Sequence, residues 1–341
     1  MTDLSQDTDA FARFPNVASF VSKLGIKRPI CQAVMDLGGG MAELSAAISE
    51  AGGLGGMGVS WHSADEVADF VKRACALTKA PFAVGYVLSF EPTTLATALE
   101  SGAPVVQFSW GTPKPATVSL VRSFDAKIGM QVSSLAGAKQ AFDLGVDYLS
   151  IQGQEAGGHV QASASWRDTI GAVVQSAGDV PVLVAGGLAN GKALREVLSL
   201  GCAGGVFGTR FLATEESPSA DSYKKRLAHA STADTMLTVC FDGGWPNALH
   251  RVLRNETTEM WEAAGSGPAG SRPGEGDVIA YLGNTPLERY SIFGPNKRMI
   301  GPDLTQMALY AGTSVDGITD IPPVAELIER IWQECIGYYS S

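Results

Sequence analysis

Apolar residues in this chain come in short uninterrupted runs: "PICQAVM" (29–35), "GLGGMGV" (53–59), "FAVGYVL" (82–88), "VVQFSW" (105–110), "KIGMQVS" (127–133), "YLSIQG" (148–153), "PVLVAGG" (181–187) and "GGVFGTRF" (204–211). Runs that are apolar on consecutive rather than alternate residues suit parallel strands buried on both faces, and parallel strands need helical crossovers to return. The intervening segments supply them: Leu44, Ala47, Ile48 and Ala51, or Leu194, Val197 and Leu198, recur at helical spacing. Eight strand–helix units at steady spacing predict a closed (β/α)8 TIM barrel, of the α/β class. An open doubly wound sheet is the alternative, because closure leaves no mark in a sequence.

After the eighth run the pattern changes. Residues 212–303 hold charged helix-like segments and then "GSGPAGSRPGEGD" (265–277), whose glycine, proline and serine density forbids a regular element and predicts a mobile loop. The barrel is expected to resume through "LTQMALYAGTSV" (304–315) and to close with the amphipathic "PVAELIERIWQECI" (323–336), where Val324, Leu327, Ile328 and Ile331 form one stripe. The predicted organisation is an N-terminal extension (1–28), a barrel (29–215 and 304–341) and a smaller α-rich insertion after strand 8 (216–303) that covers the substrate. This accounts for a length of 341 residues, more than the ~250 of one barrel.

Charge narrows the partners. Against 35 acidic residues stand 25 basic ones, a net charge of −10 with no dense Lys/Arg cluster, which argues against nucleic acid and for a small molecule. The cysteines at 31, 75, 202, 240 and 335 contain no C-x-x-C pair and read as reduced thiols. The N-terminal "MTDLSQDTDAFARF" lacks the basic and apolar regions of a secretory signal, and no run of ~18 uncharged apolar residues follows. A cytoplasmic protein with no membrane partner is expected, and a homo-oligomer is compatible with the sequence.

In such a barrel the active site is built at the C-terminal ends of the strands. "AGGLANG" (185–191) follows the seventh run and "FGTRF" (207–211) ends the eighth, the two places where a phosphate commonly sits, since glycines let backbone N–H groups approach its oxygens. The alternative is a pair of tight turns. Neither stretch fits G-x-x-x-x-G-K-[ST] or a complete G-x-G-x-x-G. Behind the sixth run, in "SIQGQEAGGHV" (150–160), His159 has an ordinary pKa of ~6.5 suited to proton transfer at the barrel mouth; the alternative is a loop histidine capping a turn. Glu155, four residues earlier, either orients the loop or the ring or is a solvated charge. His62, His229 and His250 show no metal-ligand spacing, so no metal is expected, and no G-x-S-x-G elbow is present.

Taken together, "RPICQAVM" (28–35), "ELSAAISEAGGLGGMG" (43–58), "GMQVSS" (129–134), "QGQEAGGHV" (152–160), the long stretch 180–217 and "MALYAGTSV" (307–315) resemble the flavin-dependent nitronate monooxygenases, formerly 2-nitropropane dioxygenases, and the related flavin-containing enoyl-ACP reductases. The resemblance implies FMN at the strand ends, its phosphate on the backbone of Gly186, Gly187, Gly208 and Thr209, with Ala185 beside them. It implies Ala33, Val34 and Met35 against the flavin ring, Gln131 near its polar edge, and Gly157 and Gly158 keeping the loop thin enough for substrate. His159 would be the catalytic histidine. The family's usual Q-A-P-M reads Gln32-Ala33-Val34-Met35, Asp36 stands where a small neutral residue is usual, Tyr86 stands where an asparagine is usual, and the fourth run ends in Trp110. Asp36, Tyr86, Trp110 and Tyr310 are therefore the expected substrate contacts.

The implied reaction is oxidation of an alkyl nitronate, or a related nitro compound, with O2 to a carbonyl compound and nitrite. Two alternatives stand beside it: an NAD(P)H-dependent FMN reductase of a quinone or enoyl thioester, and a barrel that binds flavin or a metabolite without turnover.

Overall fold

The computed structural model describes residues 11–38 and 40–337. Its strands are β1 (Ile30–Gln32), β2 (Gly55–Gly58), β3 (Phe82–Val87), β4 (Val105–Ser109), β5 (Lys127–Val132), β6 (Tyr148–Gln152), β7 (Gly158–His159), β8 (Val182–Ala185), β9 (Gly204–Phe207), β10 (Thr235–Thr238), β11 (His250–Leu253), β12 (Val278–Leu282), β13 (Thr285–Glu288) and β14 (Met299–Ile300). Eight of them, in the order β1-β9-β8-β6-β5-β4-β3-β2, form one sheet with every pairing parallel, and a bridge between Cys31 and Leu54 joins its two ends. The eight apolar runs are the eight barrel strands, and the closed barrel, not the open sheet, is the fold.

Helices cover the outside and side chains fill the inside. At the lower end the Tyr148 phenol lies across Gly129, where a Cβ would stand 2.1 Å from the ring, and donates to Gln107 Oε1 at 2.9 Å. Beneath it the helix Pro15–Leu24 buries Val17, Phe20, Val21 and Leu24 and sets the Phe20 ring edge-on to Tyr148, closing the N-terminal face. The first ten residues of the expected N-terminal extension lie outside the described residues.

The chain leaves the barrel after the short helix Thr209–Leu212 and returns as the helix Val324–Ile336. That last helix is the barrel's eighth: it packs on the helices Gly191–Ser199 and Met41–Glu50 and buries the predicted stripe together with Trp332, Cys335 and Ile336. The neck of the excursion is clamped, with the Glu215 N–H donating to Pro322 O at 3.1 Å and the Val324 N–H reaching the Glu216 carboxylate at 3.0 Å.

The excursion itself is mixed, which corrects the α-rich expectation. Two helices, Asp221–Ala228 and Glu256–Ala263, accompany five strands: β10 and β11, which pair with β7 of the barrel's own loop, and the three-stranded sheet β13-β12-β14. Residues 265–277 have no regular element, yet one side chain pins them. Arg272 is 7% exposed, lies over the Tyr290 ring at 4.3 Å and donates to Asp242 Oδ1 at 2.6 Å, while the Tyr290 hydroxyl donates to Pro273 O at 2.7 Å. All five cysteines are free, and among the described residues no helix is long and apolar enough to cross a membrane.

Candidate functional site

The packed barrel opens where its strands end. Gln32, Ala185 and Phe207 are buried, whereas Ala33, Val34, Met35, Gln131, Gly157, Gly158, Gly186, Gly187 and Gly208 beyond or between them are half-buried. Their walls are backbone. Gly186 has φ +115° and Gly187 φ +76°, a region that costs an L side chain but not glycine, and a Cβ at Gly186 would stand 2.8 Å from Ala156 N. At Gly157 a Cβ would come 2.3 Å from Gly312 N and 2.5 Å from Ala311 C. Three loops therefore meet with no side chain between them. Thr209 joins them by accepting the Gly312 N–H on Oγ1 at 3.0 Å, and the Thr313 N–H donates to Glu155 O at 2.9 Å. The cofactor residues expected from the sequence lie around this mouth, where glycine lets the loops pack backbone to backbone, and a mouth bordered by glycine backbone suits a phosphorylated flavin.

His159 reaches the mouth on β7, which pairs antiparallel with β11, setting His159 opposite His250 and Gly158 opposite Arg251. Two glutamines hold that strand. Gln152, at the end of β6, donates from Nε2 to His159 O at 3.1 Å and accepts the Gln161 N–H at 2.9 Å. Gln161 in turn donates to Gln131 O at 3.1 Å and accepts the Trp110 N–H at 3.2 Å. The backbone on both sides of His159 is thus tied to the ends of β4, β5 and β6, so main-chain bonds and not the imidazole fix the strand.

That imidazole stacks on Trp245, with centroids 4.5 Å apart and planes 21° from parallel, and its buried Nε2 has no hydrogen-bond partner. Burial, with the neighbouring His250 adding to it, pushes its pKa down to about 3, so the ring is neutral near pH 7. His250 is fully buried. Its Nδ1 bonds Ala248 O at 2.9 Å and its Nε2 accepts the Phe241 N–H at 3.2 Å, which assigns the neutral tautomer, and burial lowers its pKa as well.

The remaining expectations divide. Glu155 orders the loop and not the ring: Oε1 accepts the Ser165 hydroxyl, and Oε2 is buried without a partner. Asp36 does not present a bare carboxylate to a ligand. Its Oδ2 meets His62 Nε2 at 2.9 Å and its Oδ1 accepts the Gly38 N–H at 2.8 Å. Burial tends to lower the His62 pKa, but the bond to Asp36 and the charges of Asp36 and Glu66 outweigh it, so it is raised. Trp110 and Tyr310 are at the mouth, the Tyr310 ring 5.5 Å from His159 and its hydroxyl donating to Ile292 O at 2.7 Å. Tyr86 is not. It is 1% exposed, faces outward from β3 and bonds Thr94 Oγ1 at 3.2 Å, because neighbouring Gly85 is the residue that faces Val34 inside the barrel.

Sequence reasoning missed Trp245, His250, Gln152 and Gln161. Gln161 carried a usable signal, since two residues after His159 on an extended segment it shares a face with it. Trp245 and His250 sit in the excursion, where no periodicity marks them.

The two buried histidines predict acid sensitivity with a definite sign. Below the unfolded value of ~6.5 the unfolded chain takes up protons that the folded chain refuses, so stability falls as pH drops from ~6.5 towards the folded value, about 3 for His159. His62, with a raised pKa, works in the opposite sense. The expected result is therefore differential: thermal midpoints between pH 7 and 5 fall less steeply for His159→Gln than for wild type. Parallel slopes would mean that His159 titrates normally.

A family model described as nitronate monooxygenase matches residues 18–94 and 90–334. The chain belongs to the nitronate monooxygenase family. It is accordingly a flavin-dependent oxidoreductase, like its named relatives. It is 28% identical to a nitronate monooxygenase of Pseudomonas aeruginosa over 67% of this chain and 80% of that one. It is 30% identical to a Mycobacterium tuberculosis enzyme, (3aS,4S,5R,7aS)-5-hydroxy-7a-methyl-1-oxo-octahydro-1H-indene-4-carboxyl-CoA dehydrogenase, over 70% of this chain and 67% of that one. Among solved structures, FabK from Thermotoga maritima superposes with a TM-score of 0.76 at 27% identity, covering 92% of this chain and 94% of that one. A nitroalkane oxidase from Streptomyces ansochromogenes shares the fold, with a TM-score of 0.73 at 24% identity over 94% and 99% of the two chains.

Proposed function

We propose that this family member binds FMN and oxidises an alkyl nitronate or related nitro compound with O2, giving a carbonyl compound and nitrite, in the cytoplasm and without a nucleic-acid or membrane partner. The observation that carries the reading is the His159 imidazole: neutral, with a buried and unpartnered Nε2, held by its backbone at the edge of a crevice walled by glycine. The flavin phosphate would lie on Gly186, Gly187, Gly208 and Thr209, with the ring over Ala33, Val34 and Met35 and its polar edge towards Gln131. Bound flavin supplies the acceptor for substrate electrons and the route to O2. The chain's own residues bind and orient. Gly157 and Gly158 leave room above the ring, and His159 holds its Nε2 proton on a nitronate oxygen. A ring whose pKa is held near 3 is a weak base, so donation to an anion already formed suits it better than removing a proton from carbon.

A second reading, turnover of an acyl thioester with or without NAD(P)H, is favoured by the 30% identity to a carboxyl-CoA dehydrogenase. One anaerobic titration separates the two. The yellow protein is mixed in turn with ethyl nitronate, NADH, NADPH and an acyl-CoA, and its flavin absorbance is followed. Bleaching by the nitronate alone is the expected result; bleaching by a nicotinamide or the thioester, with the nitronate inert, replaces the first reading with the second. Release of FAD in place of FMN on denaturation would overturn the cofactor assignment.

A further inference from the structure

Beside His159 stands a group of aromatic rings that flavin binding does not require. Trp61 follows β2, Phe90 follows β3, Trp110 follows β4, and Trp245 comes from the excursion. The Trp245 indole is at their centre, 5.5 Å from Phe90, 4.7 Å from Trp110 and 6.0 Å from Trp61, while its flat face covers His159. Three loops and the excursion converge on one planar group.

Two features mark this as a built place and not a chance cluster. Trp110 adopts φ +59°, a left-handed conformation that is a genuine outlier for a bulky residue, and its N–H is held there by Gln161, the residue that also fixes the His159 strand. The backbone is strained in a way that turns the indole into the mouth. The Trp245 loop is anchored as far as Gly243, whose N–H donates to Tyr290 O at 3.1 Å and whose carbonyl accepts the Ile292 N–H at 3.4 Å, and from there it is closed by local turn bonds, Trp245 N–H to Asp242 O at 3.0 Å and Ala248 N–H to Trp245 O at 3.4 Å. Asp242 is held by Arg272, and Phe241 and Ala248 bond the buried His250, while Gly243, Gly244, Pro246 and Asn247 between them are exposed. Gly244 at φ +114° and Asn247 at φ +60° flank the indole. The charged groups alongside are paired with each other, His62 with Asp36 and Asp242 with Arg272, so the box offers aromatic faces and no free charge.

We propose that this box is a ring-binding subsite: a planar, uncharged ring of the substrate, aryl or fused-ring, stacks on His159 in the place the Trp245 indole holds, with Trp110 against it. The Trp245 side chain is an internal stand-in that the ring displaces, and the 244–247 turn beyond the anchored Gly243 moves with it. The assignment rests on the reading of His159 as the residue that meets substrate, and it restricts the substrate class from any nitronate or thioester to one carrying such a ring beside its reacting carbon. Aromatic contacts add on the order of 2- to 10-fold each to binding, beyond what burial of the same area gives.

The test uses two uncharged ketones of similar size, planar acetophenone and non-planar cyclohexyl methyl ketone, titrated calorimetrically into the flavin-loaded protein and into Trp110→Leu, Trp110→Tyr and Trp245→Leu. Acetophenone is expected to bind roughly 10-fold more tightly than the cyclohexyl ketone to wild type. Trp110→Leu should cut that preference by roughly 2- to 10-fold and Trp110→Tyr should restore most of it, so that loss of fold in the leucine variant is told apart from loss of the aromatic wall. Trp245→Leu should tighten acetophenone binding, because a competitor for the ring's place is gone. Equal affinities in wild type, or weakened acetophenone binding in Trp245→Leu, would overturn the proposal. Neither ketone is turned over, so a protein that fails to oxidise nitronates but still shows the planar preference loses the functional reading and keeps the subsite. Oxidation of nitronates without the preference is the converse.

Discussion

Asparagine in place of His159 is expected to lower turnover by ~10²–10⁴-fold while the protein keeps its fold and its flavin. The strand is held through backbone atoms, His159 O by Gln152 and the Gln161 N–H by the same side chain, so its position does not depend on the imidazole. The residues proposed to hold the flavin phosphate, Gly186, Gly187, Gly208 and Thr209, make no bond to the imidazole. Steady-state rates on nitroethane and on its preformed nitronate sharpen the result. If the neutral ring donates Nε2–H to the anion, both rates fall together; if it removes the carbon proton, the nitroalkane rate falls much further. The strongly lowered pKa favours the first outcome. Full activity on both substrates would return His159 to the role of a loop residue.

Gly157→Ala is expected to strip the protein of flavin. The added methyl would lie 2.3 Å from Gly312 N and 2.5 Å from Ala311 C, and both are main-chain atoms with no rotamer to escape into. Relief requires moving residues 311–313 outward, which breaks the Gly312 bond to Thr209 and the Thr313 bond to Glu155. Overpacking of this kind costs ~1–3 kcal/mol, a loss of roughly 10- to 100-fold in FMN affinity measured by titrating the apoprotein. Gly158→Ala is the control. No atom lies within 4 Å of its added Cβ, so it carries only the strain of φ +73°, about 1–2 kcal/mol in fold stability, and should retain flavin. Equal flavin loss in the two variants would mean that backbone conformation, not loop contact, governs the cradle.

The barrel was legible because a strand buried on both faces writes itself as consecutive apolar residues, and the Gly186–Gly187 pair after β8 stood out because both positions take a left-handed φ that favours glycine. The period of two along β3 held the answer for Tyr86 as well, since a glycine facing inward at 85 sends the next side chain out to Thr94. Asp36 was unreadable without its partner, because His62 lies on a different loop and only folding brings the two to 2.9 Å. Trp245 and His250 were hidden more deeply. Their loop has no repeat to read, and the sheet that brings them to His159 is completed by a two-residue strand, too short for any pattern to show.

The separation of the barrel's eighth strand from its eighth helix bears on how the chain emerges during synthesis. From Leu212 to Val324 the ribosome delivers only the excursion, and at ~5–20 residues per second this lasts on the order of ten seconds. Throughout that interval all eight strands are available, yet the apolar faces of the helices Gly191–Ser199 and Met41–Glu50 wait without the Leu327, Ile331 and Trp332 that will cover them. The nascent barrel therefore passes through an obligatory sticky stage, and a chain truncated anywhere before Val324 is arrested in it, a ready client for chaperones.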